Sequence, residues 1–376
     1  MTGSDGAILL TGATGFVGME LLARYLERTE RPVLTIVRAR TDDAARERID
    51  AVLANLFGYR AGRYGDRVTA VAGDLTAPRL GLDTVRWDWL AAESTMIVNC
   101  AASVSFGLSL DEARAINVEG TRRMLELADR SHELGVLERY AQVSTAYVAG
   151  THAGRFYEND LNVGQSFHNS YEQSKFEAER LIRAHPDLPF TILRPSIVVG
   201  DRHSGWTAAF NVLYWPLRAL ARGLFPAVPA TASAPVDVVS IDYVADGIHQ
   251  LCESAGGIRQ TYHLTAGTKA STIEEIAGLA SGYFQQPPPR LLSPAEFESL
   301  NHGLARSMLE EGRMYFPYFS VATTFDDALT RAQLEPAGIS VAPLREYMSR
   351  LLDYATWSRW GKQPIARAEA AAFTGV

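Results

Sequence analysis

Residues Ile8-Leu9-Leu10-Thr11-Gly12-Ala13-Thr14-Gly15-Phe16-Val17-Gly18 decide how the rest of this chain is read. A short apolar run enters a glycine-spaced turn, and a helical pattern leaves it. The run reads as a buried strand. Gly12 permits a tight turn, Gly15 lets backbone approach a pyrophosphate, and Gly18 lets the helix pack closely on the sheet. The helix N-terminus then offers unpaired N–H groups and a positive dipole end to phosphate. The spacing is G-x-x-G-x-x-G. Glycines in this number also occur in ordinary strand-to-helix turns. Their place between a strand and a helix points to a dinucleotide.

Outward from this turn, apolar runs alternate with helical patterns. Strands are expected at Ala7–Leu10, Val33–Val37, Val68–Ala72, Met96–Asn99, Tyr140–Val143 and Phe190–Leu193. Helices are expected at Val17–Arg28, Asp43–Phe57, Ser109–His132 and Tyr171–His185. Such alternation builds a parallel sheet covered on both faces, a doubly wound α/β Rossmann fold. The rhythm fades near residue 200. Val236–Val239 and Tyr262–Leu264 read as short strands, and from Thr268 the chain reads as mostly helical. The expected organisation is a cofactor domain over 1–200 that regains 236–267. Residues 201–235 and 268–376 would form a smaller, mostly helical substrate-binding lid.

The composition narrows the function. The chain has 376 residues, 47% of them hydrophobic and 21% charged, enough for a large buried core. A net charge of −7 gives no reason to expect a nucleic-acid partner. Two cysteines, Cys100 and Cys252, exclude a disulfide framework, and the scattered histidines suggest no metal. The most apolar later stretch, 206–217, is shorter than the roughly 20 residues a membrane helix needs. The N-terminus lacks a basic, apolar leader. A cytoplasmic location without an integral membrane segment is expected.

Further stretches carry chemistry. In Tyr171-Glu172-Gln173-Ser174-Lys175, the Tyr and Lys stand four apart and share a helix face. A phenol titrates near pH 10, and an adjacent ammonium would lower that value. Standing alone, the pair would more often be a solvated helix face. In Gln142-Val143-Ser144-Thr145, a strand ends in hydroxyls where parallel sheets bind ligands. A hydroxyl there would donate to a carbonyl oxygen, or simply cap a turn. In Ile97-Val98-Asn99-Cys100-Ala101-Ala102, small residues follow a strand and leave room for a flat cofactor. Asn117 follows in Asn117-Val118-Glu119-Gly120-Thr121, where a surface helix position is the alternative reading. The second strand ends in Arg38, with Arg40 nearby, where NAD sites carry an acidic residue. An arginine there suits the 2′-phosphate of NADPH by charge and geometry, or is merely solvated.

Taken together, the glycine turn, Gly73-Asp74-Leu75, Asn117 to Thr121, Tyr171 with Lys175, and Leu193-Arg194-Pro195-Ser196 resemble the extended short-chain dehydrogenase/reductase family. Residues 236–245 resemble that family's late strand and loop. Val143 to Val148, Val71 to Leu82, Asn99 to Phe106 and Asn169 to Glu179 resemble its thioester reductase and fatty acyl-CoA reductase branch, which includes carboxylic acid reductase and nonribosomal synthetase reductase domains. The resemblance implies a catalytic Thr145, Tyr171 and Lys175. It implies cofactor contacts from Gly12, Thr14, Gly15, Phe16, Val17 and Arg38, from Asp74 and Leu75 near adenine, and from Ala101, Ala102, Asn117 and Lys175. Pro195 and Ser196 would pack near the nicotinamide. The implied reaction is NADPH-dependent reduction of an acyl thioester, on CoA or on an acyl or peptidyl carrier protein, to an aldehyde and then in some cases to an alcohol. The alternative within the family is an enzyme of sugar nucleotides, steroids or other alcohols and ketones.

Two aromatic stretches bear on substrate size. Trp206, Phe210, Leu213, Tyr214, Trp215, Leu217, Leu220, Leu224 and Phe225 form an apolar stripe, as does Met314 to Phe319. Either would line an acyl channel or serve as packing core.

Overall fold

In the computed structural model, residues 6–185, 187–224, 226–300 and 314–374 are described. Phe225 of the aromatic stripe lies outside them. A parallel sheet of seven strands forms the centre: β1 (Ala7–Thr11), β2 (Val33–Val37), β3 (Val68–Ala72), β4 (Ser94–Asn99), β5 (Arg139–Val143), β6 (Phe190–Pro195) and β7 (Gln260–Leu264). Their spatial order is β3-β2-β1-β4-β5-β6-β7. The chain winds outward from β1 in one direction and from β4 in the other. The β1 and β4 carboxyl ends therefore open a crevice, the place where such sheets bind ligands. Thr11 stands opposite Asn99 at its floor.

Period-two alternation in β1 supplies both cores. Ile8 and Leu10 join the cluster with α1 (Phe16–Arg28), α2 (Asp42–Phe57) and the later α7 (Ile241–Glu253). Leu9 joins Leu34 and Ile36 on the other face, against α3 (Thr84–Glu93), α4 (Leu110–Glu133) and α5 (Ser170–Arg183).

Local chemistry sets the helix starts. The Thr41 hydroxyl accepts from Ala44 N, which starts α2 a residue earlier than the apolar pattern indicates. Ser109 and Glu112 form a reciprocal capping box on α4. Asn169 accepts from Glu172 N and starts α5 at Ser170. Residues 241–245, read as part of a late strand and loop, are instead the first turn of α7. The main strand there is Val238–Ser240, which pairs in parallel with Ile197–Val199.

Beyond the sheet, α6 (Tyr214–Ala221), α8 (Ile273–Phe284) and the helix Met348–Trp357 share a third apolar cluster. Short strand pairs tie this region together: Ala227–Pro229 with Arg290–Leu292, and Pro235–Val236 with Ser271–Thr272. Two C-terminal helices turn back to the sheet. Ala328–Leu334 lies against α7 and β7, and Arg367–Thr374 lies against α2. No described helix is long and apolar enough to cross a membrane.

Candidate active site

A cleft of about 500 Å³ opens at the carboxyl ends of β1, β4, β5 and β6. The glycine turn forms one wall, and its three glycines act for three different reasons. Gly12 has φ +75°, and a side chain there would meet Ala101 N at 2.8 Å. A Cβ on Gly18 would stand 2.0 Å from the Gly12 carbonyl oxygen, so glycine alone lets α1 pack against the turn. At Gly15 the only close atom is Gly12 O, at 3.3 Å, and the residue is exposed. The space a Gly15 side chain would take is open cleft at the N-terminus of α1, a cradle of the shape a pyrophosphate needs. The sites read from sequence therefore fit a dinucleotide.

Beneath the turn, a polar tie missed in the sequence holds the crevice floor. The Thr11 hydroxyl donates to Asn99 Oδ1 at 2.7 Å and accepts from the Cys100 and Ala101 amides, each at 3.1 Å. This fixes the backbone that follows β4. Ala102 lines the cleft, and Ala101 lies under Gly12.

Thr145, Tyr171 and Lys175 meet in the same cleft, with Phe16, Val17, Pro195 and Ser196. Thr145 follows β5 and starts a short turn. Its hydroxyl accepts from Tyr147 N at 3.2 Å and donates to Pro195 O at 3.4 Å. The neighbouring Ser144 hydroxyl donates instead to Glu179, which is paired with the fully buried Arg194 at 2.7 Å. That engagement separates the two adjacent hydroxyls and leaves Thr145 as the one facing Tyr171.

The electrostatics correct one expectation. Tyr171 is not drawn toward neutrality by Lys175. Burial pushes its phenol up to about 12, against a partial opposing effect of hydrogen bonding with Thr145. Lys175 is itself brought down to about 8 by burial, and its Nζ donates to the Val143 carbonyl at 2.8 Å. The pair thus presents a protonated phenol, a proton donor, at neutral pH. Cys100 beside them has its thiol raised to about 12 by burial, which makes it a poor nucleophile.

Not every predicted residue faces the cleft. Asn117 is buried, with Oδ1 accepting from Ser103 N and Nδ2 donating to Ser103 O and Ser174 Oγ. It braces the loop after β4 against α5 and presents no free group to a ligand. Arg38, Asp74 and Leu75 follow β2 and β3, outside the enclosed cleft. Asp74 folds its own loop by accepting from Thr76 N and Oγ1. Thr14 and Arg38 share a partner that sequence reading passed over. Arg48 of α2 donates to the Arg38 carbonyl at 2.6 Å and reaches Thr14 Oγ1 at 3.4 Å. On sequence it is one of several solvated helix arginines.

A second, apolar cavity of about 100 Å³ adjoins the first. The aromatic stripe divides between the two expected roles. Leu213, Trp215, Leu217 and Leu220 line this cavity. Trp206 and Tyr214 are packing core, the indole donating to Ile365 O and the phenol accepting from Gly200 N.

Similarity to known proteins agrees with this geometry. The family model described as "Male sterility protein" matches residues 10–248. The isonitrile lipopeptide synthase of Streptomyces coeruleorubidus is 36% identical over 228 residues, which cover 60% of this chain and 15% of that protein. A carboxylic acid reductase of Mycobacterium marinum is 30% identical over 288 residues, covering 68% of this chain and 24% of that protein. This chain thus spans less than a quarter of either relative. Among solved structures, the terminal R domain of the myxalamid biosynthetic pathway superposes with a TM-score of 0.84 at 28% identity, covering 97% of this chain and 94% of that one. The chain belongs to the male sterility protein family of extended short-chain dehydrogenase/reductases, among the reductase domains of carboxylic acid reductases and nonribosomal peptide synthetases.

Proposed function

We propose that this protein is an NADPH-dependent reductase of acyl thioesters, carried on a phosphopantetheine arm of CoA or of a carrier protein. The observation that supports it best is the apolar cavity adjoining the cleft that holds Thr145, Tyr171 and Lys175. A polar sugar nucleotide would gain nothing from such walls, whereas an acyl chain would. Arg38 and Arg48, brought together after β2, favour the 2′-phosphate of NADPH over the bare ribose of NAD.

NADPH, when bound, supplies a hydride for the thioester carbonyl carbon. Gly12, Gly15 and the N-terminus of α1 would hold its pyrophosphate, with Thr14, Phe16 and Val17 alongside. Lys175 would reach the ribose, and Pro195 and Ser196 would flank the nicotinamide. Thr145 and Tyr171 would donate hydrogen bonds to the carbonyl oxygen as negative charge develops on it, where preorganised donors matter most. Tyr171 then gives its proton to that oxygen, and the resulting hemithioacetal separates into aldehyde and free thiol. A second round on the aldehyde would give the alcohol.

The experiment follows NADPH absorbance with an acyl-pantetheine thioester and with the matching aldehyde. Oxidation with the thioester, cut by about 10²-fold or more in Tyr171→Phe while cofactor affinity holds, supports the reading. Oxidation with the aldehyde alone would reduce the protein to a carbonyl reductase.

A further inference from the structure

Ile197, Val212, Tyr315 and Tyr318 line both cavities and so form the wall between them. Tyr318 is held on several sides. Its ring stacks on Phe106 at 5.5 Å and meets Tyr147 edge-on at 5.4 Å. Its hydroxyl donates to Glu172 Oε1 at 2.5 Å and accepts from Asn169 Nδ2 at 2.7 Å. Glu172 is fully buried, and its other oxygen accepts from His168 N and sits 3.1 Å from His168 Nδ1. Asn169 is also the cap of α5. The two residues that hold Tyr318 therefore flank Tyr171 in sequence, on the helix that carries it. The wall is fixed in register with the proton donor. Beside it, Val212 has φ +29°, a conformation costly for a β-branched residue and concentrated at functional sites.

The far side of the wall sets what can pass. The cavity of about 100 Å³ is lined by Leu217, Ile276, Ala277 and other apolar groups. An apolar cavity of about 150 Å³ accepts benzene, so this smaller one favours a slender aliphatic end over an aromatic ring.

We propose that Tyr318, held by Glu172 and Asn169, is the specificity-determining wall of the site, and that the cavity behind it takes the aliphatic end of a linear acyl group and rejects aryl groups. This rests on the thioester reading above and deepens it.

The test measures kcat/KM, by NADPH absorbance, for pantetheine thioesters of linear acyl groups from two to ten carbons and of phenylacetate. In the native protein, each methylene that enters the cavity should raise kcat/KM by about tenfold until the cavity is full. Phenylacetyl should then fall at least about tenfold below hexanoyl. Tyr318→Ala merges the cavities, and the hexanoyl-to-phenylacetyl ratio should drop toward one. Ala277→Leu, placed on α8 away from the catalytic groups, fills the cavity and should shift the optimum to shorter chains. A ratio unchanged in Tyr318→Ala, or an optimum unchanged in Ala277→Leu, overturns the proposal; should Tyr318→Ala fail to fold, Ala277→Leu decides. If the native protein reduces no thioester, the functional reading fails by itself. Calorimetric titration with octanoyl-pantetheine amide then decides the wall. Binding about tenfold weaker in Ala277→Leu supports the cavity, and equal binding overturns it.

Discussion

Replacing Gly18 with alanine sets two effects of opposite sign against each other. Gly18 lies in the first turn of α1, where helix propensity alone favours alanine by about 1 kcal/mol. The new Cβ, however, would stand 2.0 Å from Gly12 O and 2.5 Å from Gly12 C. Both are backbone atoms of the turn and cannot swing aside as a flexible side chain would. Gly12 itself has a positive φ and so little room that even a Cβ on it would stand 2.8 Å from Ala101 N. Relieving the collision moves the turn, at a cost near the top of the usual overpacking range of roughly 3 kcal/mol. The net loss is about 2 kcal/mol. With an unfolding entropy of about 0.8 kcal/mol/K for a chain of this size, that lowers Tm by roughly 2–3 °C. Displacing the turn should also weaken NADPH by about tenfold or more, which is about 1.4 kcal/mol. Gly15→Ala makes the contrast. Its Cβ meets one atom at 3.3 Å and otherwise projects into the cleft. The apo protein should lose less than about 1 kcal/mol, mostly from capping preference, while NADPH binding suffers as much as in Gly18→Ala. Thermal melts with and without NADPH, with fluorescence titration of the cofactor, read both quantities. A Gly18→Ala protein as stable as the native one, with unchanged cofactor affinity, would refute the packing role assigned to that glycine.

Other expectations follow from the same site. Arg38→Asp and Arg48→Ala should each weaken NADPH by about 10- to 100-fold and leave NADH nearly unaffected, because a charge-assisted bond to phosphate contributes about 1.5–3 kcal/mol; equal effects on both cofactors would remove the 2′-phosphate site. In the free enzyme Lys175 loses its proton as pH rises through about 8, whereas Tyr171 keeps its proton to about 12. If the Lys175 ammonium is required, kcat/KM should fall above pH 8 with no separate tyrosine limb below pH 10, and a flat profile from pH 7 to 10 would contradict this. The same depressed lysine affects stability with a definite sign. Between about pH 8 and its ordinary value of 10.5 the unfolded chain binds more protons, so this group's contribution to stability rises with pH across that window. In Lys175→Met this contribution should be missing from the difference between melts at pH 7.5 and pH 9.5.

How much of this was legible in the sequence depends on how local each signal is. The strands β1, β2, β4, β5 and β6 are buried on both faces, the edge strand β3 on one, and all lie close to where the pattern puts them. The Tyr171 and Lys175 pairing is legible because four residues make one helical turn. Helix α3 is not among the helices the sequence pattern indicates, although the Asp83 side chain caps it by accepting from Arg86 N. The resemblance gives Asn117 a ligand role, whereas its bonds to Ser103 and Ser174 join the loop after β4 to α5, which only the folded chain brings together. Arg48 was missed for the same reason, since α2 must fold back before its guanidinium can reach both Thr14 and the Arg38 carbonyl. Glu172 and Tyr318 are 146 residues apart in the chain, and nothing local links them. The phenol's proton affinity is not legible from spacing, which shows that a lysine is near but not how deeply the pair is enclosed.

The central claim is tested most directly by the stoichiometry of a single turnover. Enzyme with NADPH is mixed with a limiting octanoyl-pantetheine thioester, and free thiol and NADPH are measured in the same sample. One thiol should appear for each first NADPH consumed, with octanal trapped as product, and Tyr171→Phe should release neither product at a comparable rate. Thiol release without NADPH consumption would mean hydrolysis, and NADPH consumption without thiol release would mean that the hydride goes to something other than a thioester.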